Sequence, residues 1–164
     1  MKVWVTEEVI DTAMETALFE TAQDHASGAV VTFSGRVRVD AHCPHLQSLY
    51  LEHYPGMTER VIEQHVQQAH QRFGLLDAAV IHRVGYMQPG EVIVWVAVAA
   101  QHRRASFEGC SYLMDFLKTE APFWKKEVAV DHESWVAAKN SDVRAKLRWA
   151  SADHAIAQEP DHPD

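Results

Sequence analysis

The chain has 164 residues, of which 47% are hydrophobic and 23% are charged, as is usual for a globular protein with one sizeable core. Its 15 basic and 23 acidic side chains give a formal net charge of −8, which argues against a general binder of nucleic acid or of membrane surfaces. The sequence contains no pattern typical of a secretory signal or of a segment that spans a bilayer, so we expect a cytoplasmic protein.

The first part of the chain predicts a strand, a helix and a second strand. Lys2 to Val5 fits a short strand, and Thr6 followed by two acids is typical of a capped helix start. We expect that helix to bury the apolar positions Val9, Ile10, Ala13, Met14, Ala17 and Leu18. Ala29 to Arg36 then predicts a strand that continues through Val37 and Arg38.

The middle of the chain predicts two more strands around a second helix. Gln47 to His53 and Asp77 to Arg83 fit strands, and Tyr86 to Gly90 fits a loop with a turn. Thr58 opens the helix and Gly74 ends it in the usual glycine position. Its expected buried positions are Val61, Ile62, Val66, Ala69 and Phe73, and its expected surface positions include His65 and His70.

A basic cluster follows the most apolar stretch of the chain. Val92 to Ala100 predicts a buried strand, and His102, Arg103 and Arg104 come directly after it. A predicted helix comes next, with Ser106 available as its cap and an apolar face at Phe107, Cys110, Leu113, Met114 and Leu117. Helix N-termini and arginines both favour phosphate or carboxylate. The cluster therefore indicates an anion site, with a solvated turn as the alternative.

Two lysines lie on either side of the break that follows this helix. Pro122 disfavours helical geometry in the residue before it, so the helix must stop ahead of it with Lys118 in its last turn. A chain reversal there would bring Lys125 back beside Lys118. Two ammonium groups held close repel each other's charge, which favours the uncharged amine of acid–base or nucleophilic chemistry. The alternative is a pair of solvated lysines.

The last part of the chain has weaker patterns. Val128 to Val130 and Trp135 to Ala137 predict a short β excursion, and Asp142 to Trp149 predicts a helix. We expect one domain over residues 1–150 and a disordered acidic tail from Ser151 to Asp164. Several strand connections are too short for parallel crossovers, which predicts an α+β fold with a mixed or antiparallel sheet.

Four motifs together resemble one known family. They are LEHYPGMTE from Leu51 to Glu59, IHRVG from Ile81 to Gly85, HRR from His102 to Arg104 and LKTEAPFWKKE from Leu117 to Glu127. With them, the chain from about Gly28 to about Trp149 resembles the catalytic, larger subunit of molybdopterin synthase. The resemblance implies an α/β hammerhead arrangement with flanking helices and a small additional β region.

The same resemblance implies an activity and partners. The enzyme would convert cyclic pyranopterin monophosphate to molybdopterin, in molybdenum cofactor biosynthesis, by inserting two sulfurs as a dithiolene. A small ubiquitin-like subunit would supply the sulfur as a thiocarboxylate on its C-terminal Gly-Gly. The implied assembly is a homodimer of this chain with a small subunit at each end, hence a heterotetramer. Because the sulfur arrives on another protein, we expect no metal or organic cofactor.

Roles for individual residues also follow from the resemblance. Lys118 and Lys125 are the implied catalytic residues, and Arg104 is a candidate for the subunit interface. The implied substrate-binding residues are Arg38, His102, Arg103, Lys126 and Glu127. The chain departs from the family pattern after Arg38, because Val39 and the segment from Asp40 to His45 stand where the family usually has Asn and a short polar loop.

Two further hypotheses concern metal and a different class of function. The segment His42-Cys43-Pro44-His45 is the nearest approach to a ligand cluster, but it lacks a second half with metal-site spacing, so we expect no metal site. From the residues alone, a non-catalytic module that binds an anionic metabolite or a partner's C-terminal tail stays open. Such a module would need the arginines but not the two lysines.

Overall fold

A computed structural model describes residues 1–39, 41, 43–130, 132–136, 144–145 and 147–150. Within these residues the strands are β1 (Lys2–Thr6), β2 (Ala29–Arg36), β3 (Leu46–His53), β4 (Leu75–Arg83), β5 (Gly85–Met87), β6 (Val92–Ala100), β7 (Phe123–Ala129) and β8 (Glu133–Val136). The helices are α1 (Thr12–Thr21), α2 (Met57–Phe73) and α3 (Arg103–Thr119).

The strands form two four-stranded sheets. In the first sheet, ordered β1-β4-β6-β2, β1 runs parallel to β4 and the other neighbours are antiparallel. The second sheet, ordered β5-β3-β7-β8, is antiparallel throughout. The prediction of an α+β fold with mixed or antiparallel pairing is confirmed.

The main core lies between the first sheet and helices α2 and α3. Strand β6 has a neighbour on both sides, and the run from Val94 to Ala100 is buried, as its apolar sequence predicts. Ile62 and Val66 of α2 and Leu113 of α3 are fully shielded from solvent. Burial of such side chains stabilises the fold by about 1.5–3 kcal/mol each. The two helices are thereby held against one face of the sheet.

The ends of α2 and α3 confirm their predictions. Gly74 has a φ of 63°, in the left-handed region, and its N–H donates to the carbonyl of His70 to close α2. Helix α3 ends at Thr119, ahead of Pro122, and Lys118 lies in its last turn. The end of α3 therefore follows from the local chemistry of the chain.

The start of α3 differs from its prediction. His102 is the N-cap and makes no side-chain capping hydrogen bond. Ser106, the predicted cap, is buried, and its Oγ donates to the carbonyl of Ala29 at 3.0 Å. Phe107, predicted on the buried face, is exposed, whereas Cys110 is buried as predicted. Ser106 thus ties α3 to β2 instead of capping the helix.

Helix α1 begins later than predicted and buries a different face. Asp11 caps it by accepting hydrogen bonds from two backbone N–H groups of the first turn, so the predicted start at Thr6 is wrong. Most of the predicted buried face is exposed, at Val9, Ala13, Met14, Ala17 and Leu18. Glu15 and Phe19 are buried instead. An ion pair of 2.7 Å between Glu15 and Lys2 satisfies the inward carboxylate.

The second sheet is larger than predicted. Its strand β7 starts at Phe123, five positions before the predicted Val128, so Lys125 and its neighbours lie on a strand. Tyr86, predicted in a loop, lies on β5 opposite Tyr50 of β3. Cross-strand pairing with β3 explains both differences, because the local sequence of β7 and β5 shows little alternation.

Some predictions fall on residues that the structure does not describe. These are Asp40 and His42 of the atypical loop, Ala137 of the β excursion, Asp142, Val143 and Lys146 of the predicted last helix, and the tail from Ser151 to Asp164. In that last helix, Arg144, Ala145 and Leu147 are described and helical. Trp149 is buried and packs edge to face on Phe73, with ring centroids 5.6 Å apart.

Candidate active site

A cavity of about 770 Å³ lies where the two sheets meet the C-terminal end of α3. Its polar lining residues are Ser34, Arg36, Arg38, His82, Lys118, Lys125 and Glu127. Its apolar lining residues include Phe33, Leu49, Leu51, Ile93, Met114, Leu117 and Phe123. The volume is in the range of pockets that hold small organic ligands, typically about 300–1,000 Å³.

The cavity brings the two predicted catalytic lysines together. Lys118 reaches it from the last turn of α3, and Lys125 reaches it from β7, which runs back past the helix end after the break at Pro122. The ammonium of Lys125 lies 3.2 Å from a carboxylate oxygen of Glu127. A chain reversal at Pro122 is therefore the local cause of the shared cavity.

Strand alternation separates two residues that the sequence places side by side. Lys125 and Glu127 line the cavity, while Lys126 does not. The ammonium of Lys126 instead lies over the rings of Tyr50 and Trp135, at 5.5 and 5.7 Å, and donates to Glu133 at 2.7 Å. That hydrogen bond raises the pKa of Lys126. Successive side chains on a strand face opposite ways, so Lys126 lies on the outer face of the second sheet.

Two arginines border the cavity at the end of β2. Arg38, predicted to bind substrate, is exposed at the cavity wall. The backbone beside it is fixed, because the N–H of Val37 donates to the carbonyl of Glu91 at 2.9 Å and the carbonyl of Val37 accepts from the N–H of Gly90 at 2.7 Å. Arg36, which the sequence analysis did not single out, also borders the cavity and donates to the carbonyl of Gly90.

The structure does not bring His102 and Arg103 to this cavity. Both are exposed at the N-terminal end of α3, whereas Lys118 lies at its C-terminal end. A rise of about 1.5 Å per residue separates the backbones of Arg103 and Lys118 by about 22 Å. Within one chain, the predicted anion site and the predicted lysine pair are therefore at different places. Arg104 pairs along the helix with Glu108, at 3.1 Å.

His82 is a cavity residue that the sequence analysis did not assign. It lies on β4, within the IHRVG motif, and its ring stacks on Phe123 with centroids 4.0 Å apart. Burial, and to a smaller degree the nearby His53, lowers the pKa of His82 from 6.5 to about 4, against the opposing effect of a hydrogen bond with the Arg83 carbonyl. The IHRVG motif indicated that this segment matters, but the sequence did not show which residue of the motif faces the cavity.

The cavity combines positive charge with an apolar wall. Arg36, Arg38, Lys118 and Lys125 supply cationic groups, and only Glu127 among the described lining residues supplies a carboxylate. Such a site suits an organic molecule that carries phosphate, because the cations bind the anion while the wall holds the organic part. The same cations can stabilise negative charge that develops during a reaction.

A second cavity, of about 280 Å³, lies against α2, α3 and the segment after residue 146. His65, predicted on the surface, is half-buried there and stacks on Phe116 with centroids 3.4 Å apart. His65 also contacts the hydroxyl of Tyr112 at 3.1 Å, and that hydroxyl donates to Gln68. Because these polar groups hydrogen-bond to one another, we interpret this cavity as a gap in side-chain packing.

The described residues contain neither a metal-binding cluster nor a helix suited to span a membrane. Among them, no three or more His, Cys, Asp and Glu side chains are grouped so as to hold a metal ion. Cys43 and Cys110 are both buried and neither forms a disulfide with another described residue, and burial raises the pKa of Cys110 to about 11. In the same part of the chain, every helix falls short of the length and apolar character that crossing a membrane requires.

The family model and the most similar curated proteins agree on one family. Residues 5–120 match the family described as the MoaE protein. The molybdopterin synthase catalytic subunit of Rhizobium meliloti (strain 1021) is 54% identical over 124 residues, which cover 74% of this chain and 79% of that protein.

Solved structures share the fold. The molybdopterin biosynthesis MoaE protein from Burkholderia ambifaria MC40-6 is 39% identical, has a TM-score of 0.77 and covers 92% of this chain and 98% of its own. The complex of subunits 1 and 2 of the molybdopterin-converting factor from Helicobacter pylori 26695 contains a chain with a TM-score of 0.70 at 20% identity, over 84% of this chain and 91% of its own. The second likeness is one of fold.

Proposed function

Since the chain belongs to the MoaE family, whose members include catalytic subunits of molybdopterin synthase, we propose that it converts cyclic pyranopterin monophosphate to molybdopterin. The proposed place of the reaction is the cavity of about 770 Å³. The chain is thus an enzyme of molybdenum cofactor biosynthesis. Its proposed reaction inserts two sulfurs into the substrate as a dithiolene. The observation that carries the proposal is that Arg38, Lys118 and Lys125 line one cavity although they come from three separate parts of the chain.

The cations of the cavity fit the charges of this substrate and of its sulfur donor. Arg38 can bind the substrate phosphate in a bidentate manner, and the apolar wall can hold the pterin. A thiocarboxylate is also an anion, so the same positive charge favours entry of the donor's C-terminal end. Glu127, paired with Lys125 at 3.2 Å, can hold that lysine in place.

Lys118 and Lys125 are the proposed catalytic residues. In each sulfur transfer, the thiocarboxylate sulfur forms a bond to a substrate carbon, and the oxygen that leaves that carbon must take up a proton. Water then cleaves the bond between sulfur and the donor's carbonyl carbon, which returns the donor as a carboxylate. One lysine can supply the proton, and the other can stabilise the negative charge on the acyl oxygen during cleavage.

His102 and Arg103 are proposed to serve the cavity of a second copy. They are too far from Lys118 to act with it in one chain, since about 22 Å of helix lies between Arg103 and Lys118. A symmetric dimer can place the start of one α3 beside the cavity of its partner. The proposed homodimer therefore gives these residues the substrate-binding role that the family resemblance implies.

A small ubiquitin-like subunit with a C-terminal Gly-Gly thiocarboxylate is the proposed sulfur donor. The Helicobacter pylori structure of the same fold is a complex of two different subunits, which supports a heteromeric assembly. The proposed complete enzyme is a heterotetramer, with one small subunit for each copy of this chain. No metal or organic cofactor takes part in the proposed reaction.

A reconstituted reaction tests the proposed function. Purified protein is mixed with cyclic pyranopterin monophosphate and thiocarboxylated small subunit, and the dithiolene product is measured. We expect product from the wild type and a loss of about 100-fold or more with Lys118→Ala, as for removal of an acid–base group. Substrate binding, measured by calorimetry, should survive in Lys118→Ala. A folded wild type that binds the small subunit but forms no product would favour the non-catalytic binding module.

A further inference from the structure

His82 occupies a position in the cavity that the lysines and arginines do not share. It lies on β4 opposite Val94 of β6, so it belongs to the first sheet, while the ring of Phe123 that stacks on it belongs to the second. Only 7% of the residue is exposed, yet the side chain lines the cavity. His82 is therefore held on both sides at the junction of the two sheets.

The hydrogen bond of His82 determines which ring nitrogen carries the proton. Nδ1 lies 2.9 Å from the carbonyl oxygen of Arg83. A carbonyl oxygen only accepts hydrogen bonds, so Nδ1 must be the N–H donor. Burial holds the pKa of the ring at about 4, so the ring is neutral near pH 7 and Nε2 has a free lone pair. His82 thus presents a fixed acceptor.

That acceptor has no donor from the protein. Among the described residues, nothing donates a hydrogen bond to Nε2 of His82. The charged side chains around the cavity are mostly cations, which suit anions, and Glu127 is engaged with Lys125. Among the described residues, the buried side-chain atoms without a hydrogen bond are Ser27 Oγ and Arg83 Nε, so Nε2 of His82 is open to the cavity and accessible to a ligand. Nε2 of His82 needs a hydrogen-bond donor, and an N–H group of a ligand can supply it.

We propose that Nε2 of His82 accepts a hydrogen bond from an N–H group of the pterin ring of the bound substrate. The inference rests on the proposed function and adds a substrate-binding residue to it. The arginines and lysines bind the phosphate. His82 binds the heterocycle through an acceptor nitrogen, which needs a hydrogen-bond donor and therefore does not bind an anion. The bond fixes the pterin in register at the junction of the two sheets, and it gives the site selectivity for a ring that carries a donor there.

Calorimetry with cyclic pyranopterin monophosphate, in the absence of the small subunit, tests this bond without turnover. His82→Phe keeps a ring to stack on Phe123 but removes the acceptor, so the Kd should rise about threefold to tenfold, as for one lost hydrogen bond. His82→Gln offers an amide oxygen in place of Nε2 and should lose less affinity than His82→Phe. A purely structural role for His82 would not produce this order.

A second measurement follows the wild type itself and needs the His82→Gln variant only to assign one resonance. In protein labelled with ¹⁵N-histidine, the Nε2 resonance of His82 is identified as the one that is missing from His82→Gln. Its chemical shift should be that of an unprotonated nitrogen, and that shift should change when substrate binds. An unmoved resonance, or equal affinity in wild type and folded His82→Phe, would overturn the inference and leave the proposed function intact. A wild type that does not bind the substrate at all would overturn the proposed function as well.

Discussion

Lys125 and Lys126 are neighbours in the sequence, yet they lie on opposite faces of β7. Lys125 lines the cavity beside Glu127, whereas Lys126 is held over Tyr50 and Trp135 on the outer face of the second sheet. At the scale of single residues, the period of two in a strand therefore decides which lysine can reach a substrate. The predicted substrate-binding role of Lys126 stays a prediction, and its placement argues for a structural role.

Replacement of each lysine by alanine makes a matched pair. We expect Lys125→Ala to lower the rate of dithiolene formation by about 100-fold or more, since it removes a proposed catalytic group. Lys126→Ala should change that rate by less than about threefold, because surface cation and hydrogen-bond contacts contribute little. Single-turnover kinetics with the thiocarboxylated small subunit measures both. Equal losses in the two variants would contradict the assignment.

His82 gives the protein a predictable dependence of stability on pH. Its folded pKa of about 4 is lower than the ordinary 6.5, so between these two values the unfolded state binds more protons. Stability therefore falls as the pH falls through this window. At pH 4.5 the neutral ring costs the fold about 2–3 kcal/mol relative to pH 8.

Urea unfolding of wild type and His82→Gln at pH 8 and pH 4.5 measures this effect. The carboxylates titrate in both proteins, so the difference between the two pH-dependent losses isolates His82. We expect the wild type to lose about 2–3 kcal/mol more than His82→Gln on acidification. The same loss in both proteins would show that the ring is not held neutral by burial.

Helix α3 connects the core to the site, because the helix that carries Lys118 is fixed by buried side chains along one face. Leu113 is fully buried between α3 and the first sheet, one turn before Leu117, which lines the cavity. Helix α1 is different, since Leu18 is 58% exposed. At the scale of elements, the same residue type has opposite surroundings on the two helices.

The Leu113→Ala and Leu18→Ala variants test that difference with the same chemical change. Leu113→Ala leaves a hole in a packed core, and we expect it to lower the free energy of unfolding by about 2–5 kcal/mol. Leu18→Ala should change it by less than about 0.5 kcal/mol, as is usual for surface positions. Chemical denaturation monitored by tryptophan fluorescence measures both. A large loss in Leu18→Ala would indicate that the exposed face of α1 is covered in solution.

The whole molecule has its proposed site residues at two distant places, with the catalytic Lys118 and Lys125 at one end of α3 and the substrate-binding His102 and Arg103 at the other. One chain cannot bring the two ends of a straight helix together. A complete site therefore requires a second copy, if both sets act on one substrate. This argument concerns the assembly and cannot be made from any single element.

Mixed dimers of Arg103→Ala and Lys118→Ala test this arrangement. Each variant alone should be inactive, because every site lacks one group. In a symmetric dimer that contains one of each, one site carries both changes and the other carries neither, so purified mixed dimers should recover about half the wild-type activity. Co-expression with two affinity tags isolates them. No recovery, despite correct dimers, would mean that both groups belong to the same chain.

The elements whose cause is local could be predicted from the order of residues alone. The buried run of β6, the end of α2 at Gly74 and the end of α3 before Pro122 follow from apolar periodicity and from backbone restrictions of glycine and proline. The family also followed from sequence motifs, in which the order of residues carries the information. The same motifs are the basis for the prediction that Lys118 and Lys125 are catalytic.

The face that each element buries, and which of the element ends meet, depend on contacts between distant parts of the chain. Helix α1 buries Glu15 and Phe19 because Lys2 and Trp95 on the first sheet receive them. His82 reaches the cavity because β4 pairs with β6 in one register and Phe123 closes on it from the second sheet. The separation of Arg103 from Lys118 depends on α3 staying unbroken. These outcomes depend on partners distant in the chain, and local sequence patterns contain no information about such partners.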